Sequence, residues 1–171
     1  MYRTITFALC LIGANAHAAP PAAYREVAGA VGLQPSLLYA VARTESARAH
    51  YPHPWPWTAN IRGQGYYYPS RQALYQALRR ELARGNDRFD VGLMQINWHA
   101  NAHWFASLWE ATDPRKNLAA GARHLQTLSR RYGLDRAIAL YHVGSMTTAE
   151  RRRRGQQYRV RVQRNLDGGR R

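Results

Sequence analysis

"QPSLLYAVARTESA", residues 34–47, reads as one helix that carries a carboxylate on its apolar side. Pro35 suits the first helical turn, where its missing N–H has no partner to lose. The apolar face runs through Leu38, Val41 and Ala42. Glu45 follows Val41 by four residues and Leu38 by seven, which puts it on that same face. An ionised carboxylate there is deprived of solvent, and the usual response is a raised pKa. A carboxylic acid that keeps its proton near neutrality is what a general acid needs to protonate a glycosidic oxygen. The alternative is that the helix frays at its end and Glu45 escapes to water.

A second stretch poses a related question. "RFDVGLMQIN", residues 88–97, sets the amide of Gln95 in a run of large apolar residues. A buried amide must find partners for its donors and acceptor, so Gln95 either reaches solvent or points into a site. Around these two stretches the pattern is helical. "AAYREVAGAVG" ends near Gly32. "SRQALYQALRRELARGN" is amphipathic, capped by Ser70 and stopped at Gly85–Asn86. "DPRKNLAAGARHLQTLSRRYG" has Asp113 as cap, Pro114 first and Gly133 as stop, with Leu118, Ala122, Leu125 and Tyr132 on one side. "DRAIALYHVG" adds a short apolar helix, whereas the prolines and glycines of residues 50–69 exclude regular helix there. The fold class is mainly α.

Met1 to Ala18 reads as a secretory signal: Arg3, a short apolar run, then "AHA" as a small-residue cleavage site. The apolar run is too short to span a bilayer comfortably, so no stable membrane span is expected. Cys10, the chain's one cysteine, lies inside it, leaving a mature form without disulfides. The charge is lopsided, with 25 Lys plus Arg against 10 Asp plus Glu. Such a chain is drawn to a polyanion, and an export signal favours an anionic wall polymer over nucleic acid. Domain boundaries follow: 1–18 signal, 19–150 catalytic domain, 151–171 an arginine-rich tail. The tail is expected to add wall affinity without entering the chemistry, unless Tyr158, Val160 and Val162 dock on the domain.

"AVARTESA", "VGLMQINW", "NLAAGARHLQ" and "AIALYHVG", in that order, resemble the soluble lytic transglycosylase family, which has a goose-lysozyme-like fold. The resemblance covers roughly residues 22–145. It pairs Glu45 with Ser46, matches Gly92 to Gln95, then Asn117, Leu118 and Gly121, and keeps Tyr141 and Gly144. His142 departs from the family's Asn. "GLMQIN", "PWPWTANI" and "LYH" resemble more narrowly the members that serve secretion and conjugation machines.

The resemblance implies a periplasmic enzyme that cleaves the MurNAc–GlcNAc β-1,4 bond of peptidoglycan without water, leaving 1,6-anhydroMurNAc ends. One glutamate protonates the leaving oxygen and then, ionised, takes the C6 hydroxyl proton, while the substrate's N-acetyl group stabilises the cationic centre. Glu45 would be that acid, with Ser46, Met94, Gln95, Asn97 and Tyr141 at the glycan, although plain core packing also suits Met94. Pro-flanked Trp55 and Trp57 could offer rigid sugar platforms, one of them entering the groove, with Trp104 and Trp109 left to packing. Ordinary glycosidases need a second carboxylate. Asp87 and Asp90 are the acids near the motif; Asp90 could be that partner, or else a loop or turn residue paired with an arginine, and Asn97 stands where a carboxylate would be useful to a hydrolase. His99 and His103 lack the glutamate of a zinc protease motif, so no metal and no cofactor is expected. The alternatives are a lysozyme-type hydrolase of the same fold, a non-catalytic wall-binding module, and a basic nucleic-acid-binding accessory protein.

Overall fold

The computed structural model describes residues 19–168, so the signal reading of residues 1–18 lies outside the described residues. Helices α1 (Ala22–Val31) and α2 (Pro35–Ser46) are separated by Gly32, whose φ of 73° ends α1 in a left-handed cap. A hairpin follows, β1 (Thr58–Ile61) and β2 (Gln64–Tyr67), in the proline- and glycine-rich segment. Ser70 caps α3 (Arg71–Ala83) by accepting from the Ala73 N–H. Strands β3 (Phe89–Val91) and β4 (Ile96–Asn97) flank a tight turn. The short helices α4 (Trp98–Asn101) and α5 (Leu108–Ala111) lead to the long α6 (Pro114–Tyr132), which Asp113 caps through two backbone N–H groups. Helices α7 (Leu134–Val143) and α8 (Ala149–Leu166) complete the described chain.

The sheet is small and antiparallel, in the order β2-β1-β3-β4. Its register has a functional consequence. Ala59 pairs with Val91 and Val91 with Ile96, and all three are buried. One residue along, Asn60 pairs with Asp90 and Asp90 with Asn97, which makes a polar row across the opposite face. Alternation along each strand thus sends one row to the core and the other outward.

The core forms where α2, α6 and α7 meet the apolar row of the sheet, with Leu38, Val41, Leu118, Leu125 and Ile138 buried. Tyr132 departs from its expected place on the apolar side of α6. It is 38% exposed at the helix end, with the Arg131 and Arg136 guanidinium groups over its ring.

The expected boundary at 150 is not a break in the fold. Residues 149–166 form α8, which packs on α2 and α7. Gly155, Tyr158 and Val162 fall on one face of α8 at helical spacing, and all three are buried. Gly155 lets that face approach α7, since a Cβ there would sit 3.1 Å from the Ala139 Cβ. At the far end, Asn165 Nδ2 donates to Thr44 Oγ1 at 2.9 Å, tying α8 to α2. The arginines that dominate this segment's composition occupy the remaining faces.

Truncation after Glu150 therefore removes core rather than tail. Deleting buried Tyr158 and Val162 together is expected to cost about 5 kcal/mol or more, a large part of a small domain's stability. Thermal unfolding followed by circular dichroism is expected to show a lost or strongly lowered transition. A truncated chain that melts like the full one would exclude α8 from the fold.

Candidate active site

The polar row of the sheet, the C-terminal end of α2, α7 and α8 enclose a cleft of about 680 Å³. Glu45 lies in it because α2 carries its carboxylate on the buried side, as the helical spacing predicts. Its Oε1 accepts a hydrogen bond from the Tyr158 hydroxyl at 2.6 Å. Burial pushes the Glu45 carboxyl up to about 7. The Tyr158 hydrogen bond opposes that rise, nearby Asp90 adds to it, and Arg161 reduces it. Burial prevails, so the acid holds its proton through weakly acidic conditions.

Asp90 and Asn97 face the same cleft, with Asn97 Nδ2 donating to Asp90 Oδ1 at 2.8 Å. Burial also raises the Asp90 carboxyl, against the lowering effect of that hydrogen bond. Asn97 has a second task as N-cap of α4, where its Oδ1 accepts from the Ala100 N–H. Gln95 sits in the turn between β3 and β4 with φ of 46°, in the left-handed region. Its Nε2 donates to the Gly92 carbonyl at 2.8 Å, and its side chain reaches the cleft. The lone amide in the apolar run thus braces its own turn and lines the site.

Two residues expected at the glycan act differently. Met94 is fully buried, packed against Gly121, where an added Cβ would come within 2.7 Å of the Met94 side chain. Its contribution is its backbone: the N–H donates to Asn117 Oδ1 at 2.8 Å, and the carbonyl accepts from the Tyr141 hydroxyl at 2.9 Å. Ser46 is also buried, donating to the carbonyls of Ala42 and Leu93. It ties the end of α2 to the turn and leaves no hydroxyl hydrogen for a sugar. Tyr141 lines the cleft with its ring.

The tryptophans exchange places relative to expectation. Trp55 is committed elsewhere: its Nε1 donates to the Tyr68 carbonyl, and the Arg48 guanidinium lies 4.5 Å from its ring centroid. Trp57 packs against the core, edge-on to Trp55 at 5.8 Å. Neither lines the cleft, because both belong to the aromatic cluster that anchors the hairpin. Trp104, expected in packing, lines the cleft and begins an aromatic row with His124 at 5.0 Å and Tyr141 beyond it. Trp109 is 40% exposed, with Arg71 over its ring at 4.0 Å.

Tyr158 is the partner of Glu45 that sequence reasoning missed. It was weighed only as a docking residue, although its i, i+4 relation to Val162 signals a buried face. His142 stacks on the Tyr158 ring, with centroids 4.6 Å apart and planes 3° from parallel. It also lines the cleft beside Arg154 and Arg161. The described residues hold no cluster of ligating side chains suited to a metal ion.

The transglycosylase SLT domain matches residues 23–162. The chain belongs to that family. No curated protein and no solved structure matches it. The match runs to within four residues of the end of α8, so the family's own extent includes the helix that supplies Tyr158. SLT-domain membership makes peptidoglycan the substrate and transglycosylation the general activity, carried on a lysozyme-like, mainly α fold.

The geometry predicts how the acid responds to its partner. Tyr158→Phe keeps the ring on His142 but removes the donor that favours the ionised Glu45. The Glu45 carboxyl is then expected to titrate above its wild-type value of about 7. Carbon-13 NMR of glutamate-labelled protein reads this directly, and an unchanged or lower midpoint would contradict the assigned hydrogen bond.

Proposed function

We propose that the protein is a peptidoglycan lytic transglycosylase in which Glu45 serves first as acid and then as base. The observation that carries this reading is the Glu45 carboxyl, held near neutrality by burial and facing a cleft of about 680 Å³. Protonated Glu45 donates to the oxygen leaving the MurNAc–GlcNAc β-1,4 bond. Ionised, it accepts the C6 hydroxyl proton as that oxygen closes on the anomeric carbon to give the 1,6-anhydro end. The proton gained in the second step restores the acid. Tyr158 suits this alternation, because its hydroxyl supports the ionised form between the two steps.

Asp90 gives the hydrolase reading its specific support, since it lies in the same cleft. A hydrolytic partner must be ionised when the acid is protonated. Burial disfavours the ionised Asp90 carboxyl while the Asn97 hydrogen bond favours it, so the Asp90→Asn variant and the product masses decide between the two readings.

Glu45→Gln is expected to fold, bind glycan and lose cleavage on the order of 10²-fold or more. Asp90→Asn is expected to cost much less. Mass spectrometry of fragments released by the unaltered enzyme should show products lighter by one water than hydrolysis gives. Reducing ends together with an essential Asp90 would establish the hydrolase instead.

The same proposal places the enzyme in the periplasm, after cleavage behind Ala18, opening the wall for a secretion or conjugation machine. The signal-like residues 1–18 and the "GLMQIN" and "PWPWTANI" motifs support it. Cell fractionation with N-terminal sequencing is expected to find a chain beginning at Ala19 outside the cytoplasm. Deletion is expected to lower transfer through the machine while growth stays normal. An intact Met1 in the cytoplasm defeats the export reading, and a growth defect with normal transfer defeats the machine reading.

A further inference from the structure

The arginines of α8 are not equivalent. Arg151 donates to Ser145 Oγ, Arg152 to the carbonyls of Met146 and Thr147, and Arg159 pairs with Asp135 at 3.0 Å. Those contacts fasten the helix to its surroundings. Arg154, Arg161 and Arg164 behave differently. They follow one another at spacings of seven and three, so they share one face of α8. All three are exposed, and among the described residues none makes an ion pair or a side-chain hydrogen bond.

That face lines a groove of about 540 Å³, floored by His142. The groove shares His142, Arg154 and Arg161 with the cleft that holds Glu45, so the two are continuous. No carboxylate lines it. Of the nearby acids, Asp135 pairs with Arg159 and Asp167 accepts from Gln163, while Glu150, one turn before Arg154, makes no ion pair with it among the described residues. Along the Trp104–His124 flank of the cleft the lining changes character. A smaller pocket of about 330 Å³ shares Trp104 and His124 with the cleft, joined by Ala120, Arg123 and Thr127. One flank thus offers aromatic faces suited to neutral sugar rings beside the single guanidinium of Arg123, and the other offers three guanidinium groups on one helix face.

A glycan strand of N-acetylated sugars carries no charge along its backbone. Its anionic groups hang from the lactyl branch of MurNAc, either as the free lactyl carboxylate or as carboxylates of an attached peptide. Guanidinium groups recognise carboxylates through paired, charge-assisted hydrogen bonds. Arginines spread over three turns of helix, beyond the bond-cleaving centre, match a branch several residues long better than one carboxylate at the ring. We propose that the Arg154–Arg161–Arg164 face of α8 is a subsite for the carboxylates of the peptide attached to MurNAc, so the enzyme selects peptide-bearing strands. This assignment rests on the peptidoglycan reading of the cleft.

The test compares three soluble strand preparations: native, native with its carboxylates converted to amides, and strands stripped of peptide by an amidase. The measured quantity is the ratio of kcat/KM on native strands to kcat/KM on amidated strands. The ratio cancels any change in the reactivity of Glu45 itself. The unaltered enzyme is expected to prefer native strands by ~10-fold, the scale of one or two charge-assisted hydrogen bonds. In the Arg154→Gln/Arg164→Gln double variant the ratio is expected to fall to within about twofold of one, with the thermal midpoint unchanged. A ratio near one in the unaltered enzyme, or one untouched in the variant, overturns the subsite. Stripped strands are expected to behave like amidated ones. If they are cleaved as well as native strands, the lactyl carboxylate is the anion and the peptide assignment falls.

Calorimetric binding of a native muropeptide and its amidated form separates this idea from the catalytic one. Without any cleavage, a binding preference that the double variant loses supports the subsite while the transglycosylase reading falls. A short DNA duplex that displaces the muropeptide at physiological salt would assign the face to nucleic acid instead.

Discussion

Everything at the site hangs on the backbone of one turn, Gly92 to Gln95, held by side chains from three helices. Asn117 of α6 is fully buried; its Oδ1 accepts from the Met94 N–H, and its Nδ2 donates to the carbonyls of Val91 and Ala111. Ser46 of α2 donates to the Leu93 carbonyl, and Tyr141 of α7 donates to the Met94 carbonyl. These backbone groups sit where water does not reach, and an unpaired polar group there costs more than its hydrogen bond returns. Gly92 is required twice over. Its φ is 77°, and a Cβ would lie 2.7 Å from the Asn117 Cγ. The turn can neither shift nor accept a side chain without dislodging the residue that satisfies it.

With the turn fixed, the sheet register and α2 determine what faces the cleft. Asp90, Asn97 and Asn60 arrive as one row, and Glu45 arrives beside Ser46, whose hydroxyl pins the helix end. Holding Glu45 in this place opposes folding. Its carboxyl titrates near 4.5 when exposed and at about 7 in the folded chain. The folded state therefore binds more protons than the unfolded state between those values, so this group's contribution to stability falls as pH rises through that window. Above it the penalty is complete. The site is a place where stability is given up for a proton held ready.

Helix starts and stops were legible because their signals are local: Pro35, Ser70, Asp113, Gly32 and Gly133 each act on a neighbouring backbone group. The burial of Glu45 was legible through its distance in residues from Leu38 and Val41. The roles of Ser46 and Met94 were not. A motif shows that a residue stands near a site, yet not whether its side chain or its backbone faces it, and both of these face inward. Trp55 and Trp57 illustrate the same gap, since prolines can make a ring rigid without saying where it points. Arg48 and the Tyr68 carbonyl already occupy Trp55, and Trp57 packs edge-on to it against the core. The segment after Glu150 was misread for a different reason. Its seven arginines up to residue 164 mask a buried stripe of only Gly155, Tyr158 and Val162.

The hydrogen bond between Tyr158 and Glu45 joins residues 113 apart in sequence. Every element against which α8 packs precedes it in the chain, so on a ribosome the acid is made long before its partner. A nascent chain that has finished β4 already possesses Glu45, Asp90 and Gln95, but it has no wall on the α8 side and no Tyr158 to steady the ionised acid. The cleft is completed by the segment synthesised after all its other parts. A cleft assembled in this order is complete only when nearly the whole domain has been made and closed.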